Sequence, residues 1–475
     1  MTVETVLRRL KECPLIASVQ ASPGSPADNP DVLLRLARAS VNQGVKVLRL
    51  EGVKNIRVIK PGLPIPTIGL IKRKYQDSDV YITPTAQDAD ALIELHCEII
   101  AFDGTERARP KGNTVAMMAA HIKKRKKLAM ADCDTVASAI AAQASGVDLI
   151  STTLAGYTPD RPATIGPDLE VLRQIIQAVT IPVLAEGRFS QRWEIEAALR
   201  MGAVGVVVGG ALNDPVKQTK SLQPEILAEG LIGAVDIGGT WLRFATFTPD
   251  WKMNTMDRTP YPKTREARLA WIKAHVIEMG VTRVGVGTGG IVDPWSGEVW
   301  TAKEYLMPDH AGIKFTEQTL GVPTYAFGDG HATAWGHACL PAFAGRRVAT
   351  LALGTGVGCG FVREGKIWAG RRGEYPRIND LPAAGGQTYE GLLGGIHLTR
   401  EPTEEQKSQA IVALKGAIQA VRDLYFPDDI LIAGSVGLSP WLAPHVAELG
   451  AITSPLDHDA GIFGAAALAL YPTWR

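Results

Sequence analysis

Two residues stand where an acid–base pair would be built. Lys72 directly follows the apolar run TIGLI (67–71), and Glu186 closes the run PVLAE (182–186). A lysine leaving a buried strand is partly desolvated, which lowers its pKa toward that of a usable base. A glutamate in the same setting is pushed the other way and can hold or donate a proton. The pair suits proton abstraction beside a carbonyl, with no metal or cofactor motif nearby. A different chemistry is suggested further on. Asp236-Ile237-Gly238-Gly239-Thr240 and Gly354-Thr355-Gly356 are glycine turns between strands. Glycine lets backbone approach phosphates, threonine adds a hydroxyl, and Asp236 can organise magnesium through water. Gly434, ending the run DDILIAGSVG (428–437), supplies a third wall. Asp329, in VPTYAFGDGHATAWGHA (322–338), stands between a strand and a helix. There it can accept a hydroxyl proton during phosphoryl transfer, or simply cap the helix.

Lys72 and Glu186 need a scaffold, and residues 1–225 provide a periodic one. LIASV, KVLRL, TIGLI, EIIAF, KLAMA, LISTT, PVLAE and GVVVGG are short apolar runs without strict alternation, as in strands buried on both faces of a parallel sheet. Helical stretches such as DVLLRLARASVNQG and EIEAALRMG separate them. Eight strands alternating with helices predict a closed (β/α)8 barrel; an open doubly wound sheet is the alternative. Barrel chemistry collects at the C-terminal strand ends. Those ends carry Gln20, Arg49, Lys72, Asp103, Asp132, Thr152, Thr153, Glu186 and the Gly209–Gly210 pair. AEGR, with Gly187 and Arg188, and VVVGGA end the last two strands, where barrels bind phosphate through backbone amides.

The chain has 475 residues, 46% of them hydrophobic and 21% charged, with a formal net charge of +1. That composition predicts two or three folded domains and excludes a strongly basic partner surface for nucleic acid or anionic membrane. The basic run HIKKRKKLAM (121–130) reads as a solvated helix end before a buried strand. Five scattered cysteines without a CxxC pair predict no disulfide framework and no cysteine zinc site. No signal peptide or membrane span is expected, and a cytoplasmic location is. The polar stretch 214–230 reads as a linker or connecting helix between domains at 1–225 and 230–475.

The first half resembles the N-acetylmannosamine-6-phosphate 2-epimerase family in LIASVQA, VLRLEG, IGLIKRKYQDSDVYITPT, FDGTERARP, MADCDT, STTLAGYTPD, LAEGR and VVVGGA. The resemblance covers nearly all of residues 14–212. It implies a TIM barrel without a cofactor, in which Lys72 moves the proton at C2 of an aminosugar phosphate and Glu186 is a second acid/base. Gln20, Arg49 and Asp132 would hold the sugar and its N-acetyl group. The family usually reads AITRP after the strand-eight glycines; this chain has Ala211-Leu212-Asn213-Asp214-Pro215, so Asp214 replaces an arginine.

The second half resembles the ROK sugar-kinase family, a branch of the two-lobed actin-like ATPase fold, and especially its N-acetylmannosamine kinases. AVDIGGT, VGTGGIVDPWSGEV, GDGHATAW, LALGTGVGCGF, GEYPR, YEGLLGG, LIAGSVG and AGIFGAAALA carry the resemblance. It implies ATP with Mg2+, Asp329 as catalytic base, and Glu374 and Glu390 on sugar hydroxyls, with Gly290 and Arg377 at the sugar pocket. Three departures stand out. Gly328 replaces an asparagine, Arg377 replaces a histidine, and LPAAGGQTYE (381–390) has no cysteines, so zinc is not expected. The two resemblances together predict a bifunctional aminosugar enzyme, expected as a homo-oligomer acting on sugars and sugar phosphates. The alternatives are an epimerase carrying a non-catalytic sugar sensor, or one joined to a kinase for another hexose. A ROK-type repressor would need an N-terminal helix-turn-helix with a basic face, which the sequence does not suggest.

Overall fold

In a barrel strand, alternate side chains point to the interior and to the surrounding helices, and that parity decides which residues reach the mouth. A computed structural model describes residues 1–164, 166–223, 229–398 and 401–474. Its first part is a closed parallel barrel of β1 (Leu15–Val19), β2 (Leu48–Glu51), β3 (Thr67–Leu70), β4 (Ile99–Asp103), β5 (Leu128–Asp132), β6 (Leu149–Ser151), β7 (Val183–Glu186) and β8 (Gly205–Val208), with β8 pairing back to β1. Ile16, Ile68, Leu70, Ile99, Leu128, Met130 and Leu184 share one core cluster inside the ring. Ala17, Leu48, Ile100, Phe102, Ala129 and Ala185 belong to a second cluster with the helices. Counting on by two from the first set reaches Gln20, Lys72, Asp103, Asp132 and Glu186. Parity alone therefore turns them inward above the packed core.

The chain's contacts divide it into Met1–Gln223 and Pro224–Arg475. The helix Pro215–Leu222 occupies much of the stretch read as a linker; residues 224–228 lie outside the described ones. The second part holds two five-stranded sheets. The first contains β9 (Ile232–Ile237), β10 (Trp241–Phe247), β11 (Met253–Pro260), β12 (Arg283–Thr288) and β15 (Thr324–Gly328), in the order β11-β10-β9-β12-β15. A hairpin of β13 (Ile291–Val292) and β14 (Val299–Thr301) is inserted in it. The second contains β16 (Val348–Leu353), β17 (Val357–Arg363), β18 (Lys366–Ile367), β19 (Asp429–Ala433) and β20 (Ile452–Thr453), in the order β18-β17-β16-β19-β20. Each sheet is an antiparallel meander of three strands extended by two parallel ones. The same order recurs twice, which is the duplicated two-lobed architecture of actin-like ATPases.

Two helices join the lobes. Ala460–Leu470 packs on β9 and β12, Asp329–Ala338 packs on β16 and β17, and the two pack on each other. Ala460–Leu470 is apolar on nearly every face and buried from Gly464 through Leu470, as a helix between layers must be. Small residues permit the close approach. A methyl group on Gly464 would meet the backbone of Ala332 and Thr333, and one on Gly285 would fall on the carbonyl of Ala465. Backbone cannot yield as a side chain tip can. Gly285→Ala is therefore expected to destabilise the C-terminal unit by about 2 kcal/mol or more. Calorimetry should show its unfolding transition shifted down while the barrel's transition stays in place.

Candidate active sites

A cavity of about 490 Å3 opens at the C-terminal end of the barrel. Gln20, Arg49, Lys72, Glu186, Gly187, Arg188, Gly209 and Gly210, all expected from the sequence, line it. Lys72 lies two residues beyond β3 and Glu186 ends β7, diametrically opposite strands of an eight-stranded ring. The Lys72 ammonium donates to Oε1 of Gln20 at 2.7 Å, and the Gln20 amide nitrogen donates to Ser18 Oγ at 2.8 Å. Lys72 is reached by solvent across the mouth, yet enough protein surrounds it to lower its pKa. Desolvation is the largest cause and Arg49 adds to it, against the carboxylates of Glu51 and Glu186.

Arg49 is 1% exposed and holds the floor of the site. Its guanidinium grips Asp132 with two bonds, 2.6 and 3.2 Å, and its Nε stands 3.3 Å from Glu186 Oε2. Thr153 Oγ1 lies 2.8 Å from Asp132 Oδ1 and 2.8 Å from Glu186 Oε2. A hydroxyl has one proton and can donate to only one of two carboxylates. Both contacts are satisfied when Glu186 is protonated and donates to Thr153, which donates to Asp132. Burial, the largest cause, together with the neighbouring Asp132 raises the Glu186 pKa against the pull of Arg49. Burial raises the Glu186 pKa, the direction that favours such a proton, and lowers that of the amine it faces.

Three residues named from the sequence are committed to other partners. Asp132 is fully buried behind Arg49 and Thr153 rather than on the cavity wall. Arg188, at φ 59°, lines the cavity but binds the carbonyls of Ala155 (2.9 Å) and Gly166 (2.8 Å) and the Thr164 hydroxyl (3.1 Å), closing the loop after β6. Asp214 is 2% exposed and caps its own helix, accepting from the amides of Val216 and Lys217. Ser18, Tyr81 and Lys217 line the cavity without having been singled out, and Thr153, noted only as a strand end, turns out to bridge two carboxylates.

In the second unit the two glycine turns meet: Thr240 and Thr355 hydroxyls are 3.1 Å apart. Gly354 faces open space, and a methyl on Gly356 would lie 3.4 Å from the Glu390 carboxylate. Gly434 (φ +85°) sits against the backbone of Leu353, a position any side chain would obstruct. Asp236 Oδ2 accepts from Arg243 Nε at 2.9 Å, a partner the sequence did not announce. Asp329 opens the helix Asp329–Ala338 and accepts the Gly330 amide at 2.7 Å. It does not cap the next turn; the N-cap is Gly328. Burial raises its pKa to about 6, against the Gly330 amide, with help from Asp236 and Glu390. Ideal Cβ positions of Gly289 and Gly358 lie 4.0 and 3.6 Å from its two oxygens, so no side chain covers it from these two neighbours.

Glu390 is 5% exposed and bonds Lys303 at 2.6 Å and Asn379 at 3.0 Å. Burial, and then Asp329, pushes the nearby Tyr375 hydroxyl up to about 12, so it stays a neutral donor. Glu374 is exposed and accepts from the Arg372 amide in its own turn; Arg377 is exposed and paired with Asp380. Gly290 (φ +99°) approaches the Thr301 carbonyl. The structure therefore gathers Asp329 and Glu390 with the unforeseen Tyr375, Lys303 and Asn379, and leaves Glu374 exposed. Among the described residues no group of three or more His, Cys, Asp and Glu is arranged to hold a metal, and no helix is long and apolar enough to cross a membrane.

The fold is a closed barrel with Lys72 and Glu186 facing one cavity at its mouth, followed by an actin-like sugar-kinase fold. The family models agree: residues 33–226 match "Putative N-acetylmannosamine-6-phosphate epimerase" and residues 232–382 match the ROK family. A Brucella melitensis protein named bifunctional enzyme NanE/NanK is 30% identical over 517 aligned residues, covering 98% of each chain. The chain belongs to this bifunctional NanE/NanK family. Similar solved structures include an N-acetylmannosamine-6-phosphate 2-epimerase from Clostridium perfringens, 39% identical over 46% of this chain and 94% of its own, TM-score 0.45. Another is a ROK family glucokinase from Streptomyces griseus, in complex with glucose and AMPPNP, 21% identical over 50% and 99%, TM-score 0.44.

Arg49 offsets two buried carboxyls, and removing it strands them. Arg49→Met is expected to destabilise the barrel by about 3–5 kcal/mol, measured by urea unfolding of the barrel transition.

Proposed function

We propose that the chain phosphorylates N-acetylmannosamine at O6 in its C-terminal unit and epimerises the resulting 6-phosphate at C2 in its barrel, giving N-acetylglucosamine 6-phosphate. The observation that carries this reading is the placement of Lys72 and Glu186 on opposite strands across one cavity, where burial lowers the amine's pKa and raises the carboxyl's. The C2 proton is acidic only when C1 is an aldehyde, so the ring opens first. Lys72, as the neutral amine, then takes the C2 proton and becomes an ammonium, leaving an enolate over O1, C1 and C2. Glu186, on the opposite side of the ring of strands, returns a proton to the other face and becomes a carboxylate. Proton exchange with solvent resets the pair. Arg49 and Gln20 hold sugar oxygens, and the backbone at Gly187, Arg188, Gly209 and Gly210 receives the phosphate. Asp132 acts from behind, by fixing Arg49 and Thr153.

In the second unit the residues fit a nucleotide: bare glycine at 354, and the hydroxyls of Thr240 and Thr355 beside glycine amides. ATP with Mg2+ supplies the phosphoryl group there. Asp236, Gly238, Gly239, Thr240, Gly354, Thr355, Gly356 and Gly434 would hold it. Asp329 accepts the proton of the attacking hydroxyl, and Glu390, with Gly290, Glu374 and Arg377 around it, orients the sugar. The Lys303–Glu390 ion pair favours a second reading, in which this unit binds sugar without phosphorylating it. An ADP-release screen over N-acetylmannosamine, N-acetylglucosamine, mannose and glucose decides between them.

Lys72→Ala is expected to slow epimerisation by about 10²–10⁴-fold with the fold intact. Near-native solvent-deuterium exchange at C2 in that variant would remove Lys72 from its role. Asp329 must be ionised to accept a proton. With its pKa near 6, sugar-dependent ADP release should be level above that pH and fall about tenfold per unit below it. Asp329→Asn should abolish release at every pH; turnover untouched by that substitution would sink the kinase assignment.

A further inference from the structure

At the end of the barrel cavity where phosphate is expected, position 214 is an aspartate, and the structure shows which cation stands beside it. Asp214 is not presented to the cavity. Its Oδ1 accepts from Val216 N (3.1 Å) and Lys217 N (3.4 Å), and its Oδ2 accepts from Ser22 Oγ at 2.8 Å. All of its bonding is committed to the loop and to the first turn of the helix Pro215–Leu222. That capping aims the turn, and with it Lys217, back over the strand-eight glycines. The lysine stem crosses Gly210 so closely that a methyl group there would lie 2.9 Å from Lys217 Cδ. Lys217 lines the cavity together with Gly209 and Gly210.

The other cations on that wall are occupied. Arg49 holds Asp132 at 2.6 Å, Lys72 holds Gln20 at 2.7 Å and Arg188 holds carbonyls at 2.8 and 2.9 Å. Lys217 has only a loose pairing, 3.7 Å to Asp214 Oδ2, and its side chain is 68% exposed. An ammonium without a tight partner, beside two glycine amides at the end of a cavity, is suited to a dianion.

We propose that Lys217 supplies the positive charge that receives the substrate phosphate in the barrel, in place of a residue at position 214. The inference rests on the epimerase reading of this cavity. It also carries a consequence for selectivity. A lysine is a compact charge on a flexible stem, whereas an arginine fork binds phosphate bidentately. The site therefore selects for the charge of the 6-substituent more than for its exact geometry.

The test uses the full-length chain and three variants, Lys217→Ala, Lys217→Arg and Lys217→Glu. KM and kcat are measured on N-acetylmannosamine 6-phosphate, and inorganic phosphate is the competitive inhibitor. Lys217→Ala should raise KM and the phosphate inhibition constant together by about tenfold or more, with little change in kcat. Lys217→Glu should raise both further, and Lys217→Arg should return most of the loss. Native KM and inhibition constant in Lys217→Ala would overturn the proposal. So would a loss confined to kcat. If the unaltered chain fails to epimerise the sugar phosphate, the function assigned to the barrel falls instead. Calorimetric titration of inorganic phosphate into the same four proteins then still decides on Lys217: equal affinity in all four overturns the proposal, and weakened binding in Lys217→Ala sustains it.

Discussion

A guanidinium with 1% of its surface exposed sits at the floor of the barrel cavity, and the charge balance of the side chains above it depends on that burial. Stripping water from Arg49 is costly, and two carboxyl groups offset the cost. Asp132 takes both terminal nitrogens, while Glu186 is approached only by Nε at 3.3 Å. The two carboxyls are therefore unequal partners of one cation. The less favoured one, partly buried at the cavity wall and next to Asp132, has its pKa raised. Arg49 also helps lower the Lys72 pKa from across the cavity. The buried charge thus favours the neutral amine, while burial and Asp132 raise the carboxyl's pKa against the pull of the same guanidinium, and an amine of lowered pKa faces a carboxyl of raised pKa.

In the second unit the corresponding constraint is the contact between helices Asp329–Ala338 and Ala460–Leu470. Each packs on a different sheet, so their glycine-lined contact fixes how the lobes face one another. Asp329 stands at the first residue of one of them. The helix N-terminus and the Gly330 amide favour its anion, yet desolvation prevails and its pKa rises to about 6. A carboxylate in that range is a better proton acceptor than a solvated one and is still ionised at neutral pH. Lys303 on one lobe and Glu390 on the other draw the lobes together by an ion pair, and Thr240 with Thr355 does the same by hydroxyls. A sugar that uses Glu390 must exchange its own hydroxyls for the Lys303 ammonium.

Much of this was legible in the sequence because the barrel is built from short local signals. All eight apolar runs became strands, within two residues at either end. The polar groups that end them lie at the mouth because a strand alternates, and counting by two from Leu70 or Leu184 is enough to turn Lys72 and Glu186 inward. What the sequence could not convey was pairing across the ring. Asp132 and Arg49 are 83 residues apart. Nothing local shows that Asp132 lies behind the guanidinium instead of beside a ligand. Thr153 and Lys303 were equally hidden, because each acts through a partner distant in the chain. Asp214 read as a charge reversal at a phosphate site; its side chain instead faces the amides of its own helix, a direction that residue identity alone does not contain.

The two proposed reactions place complementary demands on one molecule. Proton transfer at C2 requires an open-chain sugar, whose many rotatable bonds make the correct pose costly in entropy. A phosphate at the far end gives the barrel a charged handle, held near Gly209 and Gly210 while C2 lies between Lys72 and Glu186. Such binding energy, realised away from the reacting carbon, is what orients it. The kinase reaction creates that handle. In the proposed sequence one active site produces the feature by which the other holds its substrate, and their presence in a single chain keeps the two in equal number.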